Sequence, residues 1–532
     1  MRLYHRIVRL VFVAAGAAVV SADGQQPAAR PPRAAASSAK PASAWKQAAY
    51  VKASNPRAGA QFGFAVALSG DGNTLAVGSQ MEESSATGVN GNQDDHSKFG
   101  AGAVYVYTRV AAGWSQQAYI KASNTDQDDQ FGFNVALSAD GNTLAVSAPY
   151  EDSAATGING NQADNSMLNS GAVYLFTRSG TAWSQQAYIK ASNTGDPEEG
   201  DQFGYSISLS GDGNLLAVGA IGEDSGATTV NGDEKDNSAP NAGAAYVFIR
   251  SGGTWSQQAY LKAANAGRNF LFGYSVAVSG DGSTIAVGSF DEAGSARQIN
   301  GPYDRRAGGT GAAYVFTRSG ATWSQQAYLK AKEGDPQDSM GCSIAISDDG
   351  NTVATGALDE DTMVGGINVV QSGHSGKVDG PDDNSSGAAY VFVRNGTTWT
   401  EQANFKASNV GKDDWFGIHL HLSGDGNTFA VTAPNEDGAS QGINGKQDVK
   451  GADEAGAVYL FNRQGTAWSQ QVYFKGSNTK KFDEFGSAAA LSRDGRTLAV
   501  GAHFESGGAK GVNGNQQDTS MSQSGAVYIF VR

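Results

Sequence analysis

The chain has 532 residues, with 38 basic and 52 acidic side chains and a formal net charge of −14. This acidity argues against a general nucleic-acid binder or a binder of anionic membranes, because phosphate recognition needs a basic face. The single cysteine excludes an intramolecular disulfide framework. Glycine accounts for 71 residues, against a usual share of about 7%, which indicates many turns.

Residues 1–22 have the pattern of a secretory signal peptide. Arginines precede an apolar run over residues 10–20, which is too short for a bilayer span of about 20 residues. Small residues then offer a cleavage site after Ala22. We predict export, with a secreted, periplasmic or cell-surface location and no membrane span; a buried N-terminal helix is the alternative.

Residues 23–44 are rich in alanine, proline and serine without periodicity, which predicts a flexible or partly extended linker. From residue 45 to residue 532 one unit recurs seven times, and three markers keep their register in it. Phe-Gly begins at residues 62, 131, 203, 272, 416 and 485, with Met340-Gly341 in the remaining copy. Asp-Gly begins at residues 71, 140, 212, 281, 349, 425 and 494, and tryptophan stands at 45, 114, 183, 255, 323, 399 and 468.

Each unit predicts four short strands. In the second copy these are residues 131–138, 143–148, 172–178 and 183–191, all rich in β-branched or aromatic residues and bounded by turn residues. No window has a sustained helical period. Seven such units predict an all-β fold, a seven-bladed β-propeller of four-stranded antiparallel blades.

The two ends of this region predict how the ring closes. The region begins with a fourth-type strand, Trp45 to Ser54, and finishes with a third-type strand, Ala526 to Arg532. If the N-terminal strand completes the last blade, no sheet edge is left open to aggregation. An open solenoid is the alternative, but it would need capping repeats.

The connections predict one face crowded with loops. The turn between strands 1 and 2 has about two residues, whereas the loop between strands 2 and 3 runs from Gln80 to Ala101 in the first copy. Loops beyond about 12–15 residues are usually functional or disordered. Because all the long loops leave the same face, we place a ligand site there.

Acidic residues open these loops and are the candidate ligand-binding set. They are Glu82, Glu83, Glu151, Asp152, Glu223, Asp224, Asp291, Glu292, Asp359, Glu360, Glu436 and Asp437. Asn159, Asn161, Asp164 and Asn165 follow in the second loop and are candidate calcium ligands, since calcium prefers oxygen donors. Such residues equally form turns in which Asn and Asp bond their own backbone. We predict no required cofactor, with calcium as an option.

The string FGFNVALSADGNTLAVSAPYED, followed by GAVYLFTR, resembles the FG-GAP repeat of integrin α-subunit propellers and, more closely, bacterial FG-GAP-type proteins. Phe131-Gly132 matches the FG element and Ala148-Pro149 the end of the GAP element. The resemblance covers all seven copies and implies a seven-bladed propeller used in extracellular adhesion or ligand recognition. Integrin calcium loops lie between strands 1 and 2, where this chain has only short segments such as SADG, so those sites do not carry over.

Signals of catalysis are weak. His419 and His421 share one face of a strand, but no third metal ligand is evident, and Cys342 takes a position held by Phe64 or Phe133 elsewhere. We therefore predict a monomeric binding or adhesion propeller with an extracellular protein or glycan partner. A carbohydrate-binding, lectin-like propeller is the alternative, and a hydrolytic enzyme is less favoured.

Overall fold

The computed structural model describes residues 45–532 except 112, 196–199 and 371–383. The signal-peptide and linker predictions for residues 1–44 therefore lie outside the described residues. The described part forms seven antiparallel sheets, and no helix in it is long and apolar enough to cross a bilayer.

The strands follow one another as blades, beginning with β1 (Lys46–Val51). Blade 1 holds β2 (Ala65–Leu68), β3 (Thr74–Ser79), β4 (Ala103–Val110) and β5 (Gly113–Ile120); blade 2 holds β6 (Val135–Leu137), β7 (Thr143–Ala148), β8 (Ala172–Ser179) and β9 (Ala182–Ile189). Blade 3 holds β10 (Phe203–Leu209), β11 (Leu215–Ala220), β12 (Ala244–Ser251) and β13 (Thr254–Leu261); blade 4 holds β14 (Phe272–Val278), β15 (Thr284–Ser289), β16 (Ala312–Ser319) and β17 (Thr322–Leu329).

Blade 5 holds β18 (Met340–Ile346), β19 (Thr352–Ala357), β20 (Gly366–Ile367), β21 (Ala388–Asn395) and β22 (Thr398–Lys406), with the short β20 as a fifth strand beside β22. Blade 6 holds β23 (Leu420–Leu422), β24 (Thr428–Ala433), β25 (Ala457–Gln464) and β26 (Ala467–Phe474). Blade 7 holds β27 (Ala488–Leu491), β28 (Thr497–Ala502) and β29 (Ala526–Val531), and β1 is its outer strand. The predicted all-β, seven-bladed propeller is confirmed.

The seven innermost strands form a closed ring, since each contacts the innermost strand of the next blade and β27 contacts β2. At one end, backbone N–H groups of one 1–2 turn donate to a carbonyl of the next, over 2.8–3.1 Å. The series runs from Gly70 to Ala139, Ala139 to Gly211, Gly211 to Gly280, Asp281 to Asp348, Asp348 to Gly424, Gly424 to Arg493 and Arg493 to Gly70. These bonds join all seven blades around the axis.

The N-terminal strand completes blade 7, as predicted. β1 pairs antiparallel with β29 from Lys46 opposite Val531 to Val51 opposite Val527. The Trp45 ring packs edge-on against Phe474 of blade 6, with ring centroids 5.5 Å apart. The chain ends are thus joined by a ladder and by aromatic packing, which leaves no open outer edge on β29.

Two details differ from the sequence-based prediction. The connection between strands 1 and 2 of blade 2 spans residues 138–142 rather than about two residues. Asp140 explains the longer turn, because its carboxylate accepts hydrogen bonds from the Ser138 hydroxyl and the Asn142 N–H. The first strand of this blade is also shorter than predicted, since pairing with β7 begins only at Val135.

The Phe-Gly marker has a packing cause. Phe131 is fully buried and packs against Tyr174 of its own blade, with ring centroids 5.2 Å apart. Gly132 has a φ of 91°, and a Cβ there would lie 2.6 Å from the Ala103 carbonyl oxygen of blade 1. A side chain would therefore push adjacent blades apart, in a backbone conformation that favours glycine.

The tryptophan marker joins neighbouring blades at their outer strands. In blade 2 the Trp183 Nε1 donates to Gln117 Oε1 of blade 1 over 2.9 Å, and the Arg178 guanidinium lies 5.4 Å from the Trp183 ring centroid. A buried indole N–H needs an acceptor, and the equivalent glutamine of the preceding blade supplies it.

Candidate functional site: the loop face

We call the end of the ring that carries the 2–3 and 4–1 loops the loop face, and the opposite end the turn face. Antiparallel order within a blade places both kinds of loop at the same end. The 2–3 loops span residues 80–102, 149–171, 221–243, 290–311, 358–387, 434–456 and 503–525, with residues 371–383 outside the described part.

These loops also fold back over the outer edge of their own blades. In blade 2, Ile158 forms a β-bridge with Ile189 of β9. The next residue, Asn159, has a φ of 57°, and its Oδ1 accepts the Tyr188 N–H at 3.0 Å. The loop therefore satisfies donors that an uncovered edge strand would present to other chains.

Six acids of the predicted ligand-binding set are buried and paired with lysine, and a ligand-binding role for them stays a prediction. Each glutamate is bonded to a lysine from the fourth strand of its blade, and blade 7 has an equivalent pair. The pairs are Glu82–Lys121, Glu151–Lys190, Glu223–Lys262, Glu292–Lys330, Glu360–Lys406, Glu436–Lys475 and Glu505–Lys52.

Blade 2 shows the geometry of this pair. Lys190 Nζ donates to Glu151 Oε2 at 2.6 Å and to Ser170 Oγ at 2.7 Å. The other carboxylate oxygen accepts the Tyr188 hydroxyl at 2.7 Å and Asn124 Nδ2 at 2.9 Å. Burial lowers the pKa of Lys190 while Glu151 opposes that shift. Because Asn124 follows the last strand of blade 1, the carboxylate also ties two blades together.

The six other acids of the set are half-buried at the loop openings. Asp152 accepts the Asn169 N–H at 2.8 Å, Asp224 the Asn241 N–H at 2.7 Å, and Asp437 the Glu454 N–H at 3.2 Å. Asp359 accepts the Ser339 hydroxyl at 2.9 Å. Glu83 and Asp291 complete this group. A ligand-binding role for these six acids stays a prediction.

A second layer of buried carboxyl groups was not anticipated from the sequence. These carboxyl groups belong to aspartates that lie two residues before the Phe-Gly marker in several blades. Burial raises the pKa of Asp129 and Asp201 to about 8 and of Asp414 and Asp483 to about 7, and the nearby glutamate adds to the shift in each case. The sequence signal was an aspartate at one register position of the repeat.

The four candidate calcium residues mostly hold their own loop together. Besides Asn159, Asn161 Oδ1 accepts the Ala163 N–H, and the Asp164 carboxylate accepts the N–H groups of Ala154 and Ser166. Asn165 Nδ2 donates to Asp126. The described residues contain no group of three or more His, Cys, Asp or Glu side chains placed to hold a metal.

We expect calcium to leave the melting temperature unchanged, because the loop oxygens already accept backbone donors. The measurement is a thermal melt of residues 23–532 with calcium and then with a chelator. A ligand at a hundredfold excess over its Kd stabilises the native state by about 2.7 kcal/mol. A saturable rise that the chelator reverses would contradict the expectation and place cation sites in the 2–3 loops.

The histidines of blades 6 and 7 lie near the central channel. Burial lowers the pKa of His419 to about 4, of His421 to about 3 and of His503 to about 3. Burial raises the pKa of the Cys342 thiol to about 12. These histidines are neutral and this thiol protonated at neutral pH.

The lowered pKa of His421 predicts that the variant His421→Ala gains stability in a pH-dependent way. Alanine is the residue that most other copies have at this position. Between the unfolded pKa of about 6.5 and the folded pKa of about 3, the unfolded chain binds a proton that the folded protein does not. His421 therefore costs stability as the pH falls through that window. We expect the variant to gain about 2 kcal/mol relative to wild type between pH 7 and pH 5.

Urea unfolding of both proteins at the two pH values measures this gain. The comparison between proteins removes the opposing contribution of the buried aspartates, which both share. An equal difference in unfolding free energy at pH 7 and pH 5 would contradict the expectation.

Large apolar side chains are exposed mainly on the loop face. Of those in the described residues, only Val110 lies at the turn face, beside a 3–4 turn. The others lie in 2–3 or 4–1 loops: Phe99, Leu168, Tyr303, Met363, Val364, Val370, Val449 and Phe482. Phe99 and Leu168 occupy equivalent positions in adjacent blades and are 53% and 52% exposed. A contiguous exposed apolar patch marks an interaction surface, so a binding role for this face stays a prediction.

The fold fits a β-propeller of the binding or adhesion type. Residues 45–107, 114–176, 183–248 and 255–316 match the family model of the FG-GAP repeat. These four stretches are FG-GAP repeats, and the seven-bladed ring is consistent with an integrin α-like propeller. None of the curated proteins matches the chain by sequence.

Similar solved structures are remote propellers. A candidate 6-phosphogluconolactonase from Bacteroides uniformis is 9% identical with a TM-score of 0.43, over 78% of this chain and 86% of that one. The WD40 repeats of RRP9 are 7% identical with a TM-score of 0.46, over 93% and 99%. The Myceliophteria thermophila Cps50 (Swd1) β-propeller domain is 8% identical with a TM-score of 0.46, over 92% and 100%. Likenesses this weak carry no inference about activity.

Proposed function

We propose that the protein is an exported, monomeric binding module that recognises an extracellular or cell-surface protein through its loop face. The observation that carries the proposal is the concentration of exposed large apolar side chains on that face. Buried apolar anchors supply much of the affinity of protein interfaces. Export is supported by the signal-peptide pattern of residues 1–22.

We propose binding rather than catalysis as the role of this propeller. The single cysteine is buried, and its raised pKa keeps the thiol protonated, which disfavours a nucleophilic role. The glutamates of the repeated pairs are held by lysine in every blade. Acids that recur in each blade and are already paired support an architectural role.

A matched pair of variants tests the proposal. Phe99→Ser combined with Leu168→Ser removes two apolar anchors from the loop face, whereas Val110→Ser makes the same kind of change at the turn face. We expect purified protein to bind at least one member of a panel of extracellular and cell-surface proteins. The loop-face variant is expected to lose affinity by about 30–700-fold, since each of the two anchors contributes on the order of 1–2 kcal/mol.

The control is expected to bind like wild type, and melting curves check that all three proteins fold. Equal affinity of wild type and the loop-face variant would contradict the proposal. So would a comparable loss in Val110→Ser, or binding to no member of the panel.

A further inference from the structure

One ion pair extends across the ring at the turn face. At the first residue after the serine of each 1–2 turn, five copies carry glycine or alanine, while blades 5 and 7 carry Asp348 and Arg493. Arg493 Nη1 lies 3.0 Å from Asp348 Oδ2. A Cβ on Gly211 would lie 2.5 Å from Arg493 Nη2, and one on Gly280 would lie 2.5 Å from Asp348 Oδ1. The two side chains therefore extend over their neighbours' turns and across the ring.

The opposite end of the channel carries four aromatic side chains that we call the aromatic arc: Phe64, Phe133, Tyr205 and Tyr274. They come from consecutive blades, and successive ring centroids lie 5.4, 5.5 and 5.1 Å apart. All four are only half-buried although they surround the axis. The arc thus lines one side of the channel at the loop face.

The other side of this end is lined by smaller residues. Blades 5, 6 and 7 carry Cys342, Ile418 and Ser487 at the position of the arc. The channel is therefore asymmetric, with a continuous aromatic wall facing a wall of lower volume. A concave, mostly apolar site with a few polar groups is the usual form of a small-molecule site.

Three buried side-chain atoms, in blades 2 and 3 of the arc and in blade 7, make no hydrogen bond within the described residues. Gln130 and Gln202 lie three residues before Phe133 and Tyr205, and the Oε1 atom of each is buried without a partner. The Nδ1 atom of His503 is also buried without a hydrogen-bond partner, and the ring centroids of His503 and Phe64 lie 5.5 Å apart. Leaving a buried polar atom unpaired costs about 1–3 kcal/mol, so a ligand hydroxyl that bonds these atoms would be favoured.

We propose that the loop-face end of the channel binds the ring of a neutral sugar, stacked on the aromatic arc and hydrogen-bonded by Gln130 and Gln202. Aromatic faces accept the apolar face of a sugar ring, while amide oxygens accept its hydroxyl donors. His503 and Glu484 carry no charge at neutral pH, which favours a neutral ligand beside Phe64. His503 Nε2 lies 3.7 Å from Glu484, and burial raises the pKa of Glu484 to about 8 and lowers that of His503 to about 3.

Cys342 stands beside Tyr274 in the ring of equivalent positions, but its thiol is buried and protonated, so binding is measured by protection against thermal unfolding. We would measure thermal unfolding in the presence of methyl glycosides of glucose, galactose, mannose and N-acetylglucosamine. At least one glycoside is expected to lower the unfolding equilibrium constant saturably, by about tenfold at ten times its Kd. Choline, a cation that aromatic walls also attract, is expected not to protect.

Variants locate the effect. Tyr205→Leu removes one face of the arc, and Gln202→Leu removes an acceptor while leaving the arc intact; both are expected to weaken the protection at least tenfold. Tyr303→Leu changes an exposed loop-face tyrosine outside the arc and is expected to keep it.

Three outcomes would overturn the sugar site: no protection by any glycoside, unchanged protection in both the Tyr205 and Gln202 variants, or protection by choline alone. The proposal does not rest on the protein partner of the loop face. The Phe99 and Leu168 variants, which lie outside the channel, are expected to leave glycoside protection unchanged.

Discussion

Replacing Lys190 with methionine is expected to lower the free energy of unfolding by about 3–5 kcal/mol, because it leaves the buried Glu151 carboxylate without its cation. Lys190 and Glu151 are 1% and 2% exposed, so solvent cannot compensate either charge. Urea unfolding at pH 7 measures the loss. The matched control is Lys481→Met, which breaks the ion pair with Asp453 in which both side chains are more than half exposed. That change is expected to cost less than about 1 kcal/mol.

The double variant Lys190→Met with Glu151→Leu completes the test. Removing both charges is expected to cost less than the sum of the two single variants, with a coupling of about 1–3 kcal/mol. Asn124 and Tyr188 lose their acceptor in the double variant, so full recovery is not expected. Additive single effects, or a Lys190→Met loss no larger than that of Lys481→Met, would contradict the buried-pair account.

Removing β1 is expected to open the ring. A chain that begins at residue 55 loses the whole ladder between β1 and β29. It also removes the partner of Glu505, which bonds Lys52 Nζ at 2.7 Å and the Tyr50 hydroxyl at 3.0 Å. The exposed edge of β29 then becomes a template for pairing with other chains. We expect soluble aggregates in size-exclusion chromatography and a melting temperature lower by about 5 °C, because several kcal/mol are lost and each kcal/mol shifts the midpoint of a domain this large by about 1 °C.

Two controls isolate the strand from the rest of the N-terminal region. A chain beginning at residue 44 keeps β1 and is expected to melt like the full chain. A synthetic peptide of residues 45–56 added to the shorter chain is expected to restore most of the melting temperature. Full stability of the chain that begins at residue 55, without peptide, would show that β1 does not close the ring.

The sequence predicted the architecture because each marker of the repeat has a local physical cause. Glycine at 132 is required by the close approach of two blades, and Asp140 holds the turn between strands 1 and 2. Trp183 needs the glutamine of the preceding blade. Since the glycine and the aspartate act in each blade, their regular spacing gave the number of blades, and the unpaired strand types at the two ends predicted the closure by β1.

The chemistry of the loop openings could not be predicted in the same way. Glu151 and its equivalents were assigned to the candidate ligand-binding set because the long loops that they open leave one face, and loops often carry function. Their partner, Lys190, lies in a distant strand of the same blade, and only the fold brings the two within 2.6 Å. One sequence feature could have predicted the buried pair: a lysine lies at the end of the fourth strand in all seven copies. A charged residue at the same strand position of every repeat requires a partner of opposite charge.

The features of the channel could not be predicted from the repeat, because they come from residues that depart from the repeat. Asp348 and Arg493 are unremarkable beside the Asp-Gly marker until the ring brings blades 5 and 7 together. The aromatic arc likewise needs four consecutive blades to form. Long-range pairings of this kind follow from the closure of the ring, which no single copy of the unit encodes.

Amide hydrogen exchange of the protein with and without its bound protein partner tests the central claim most directly. We predict that binding slows exchange in loop-face segments, above all residues 80–102 and 149–171, which carry Phe99 and Leu168. The 1–2 turns, such as residues 138–142, are expected to exchange at the same rate in both states. Protection confined to those turns, with the 2–3 loops unchanged, would contradict the account.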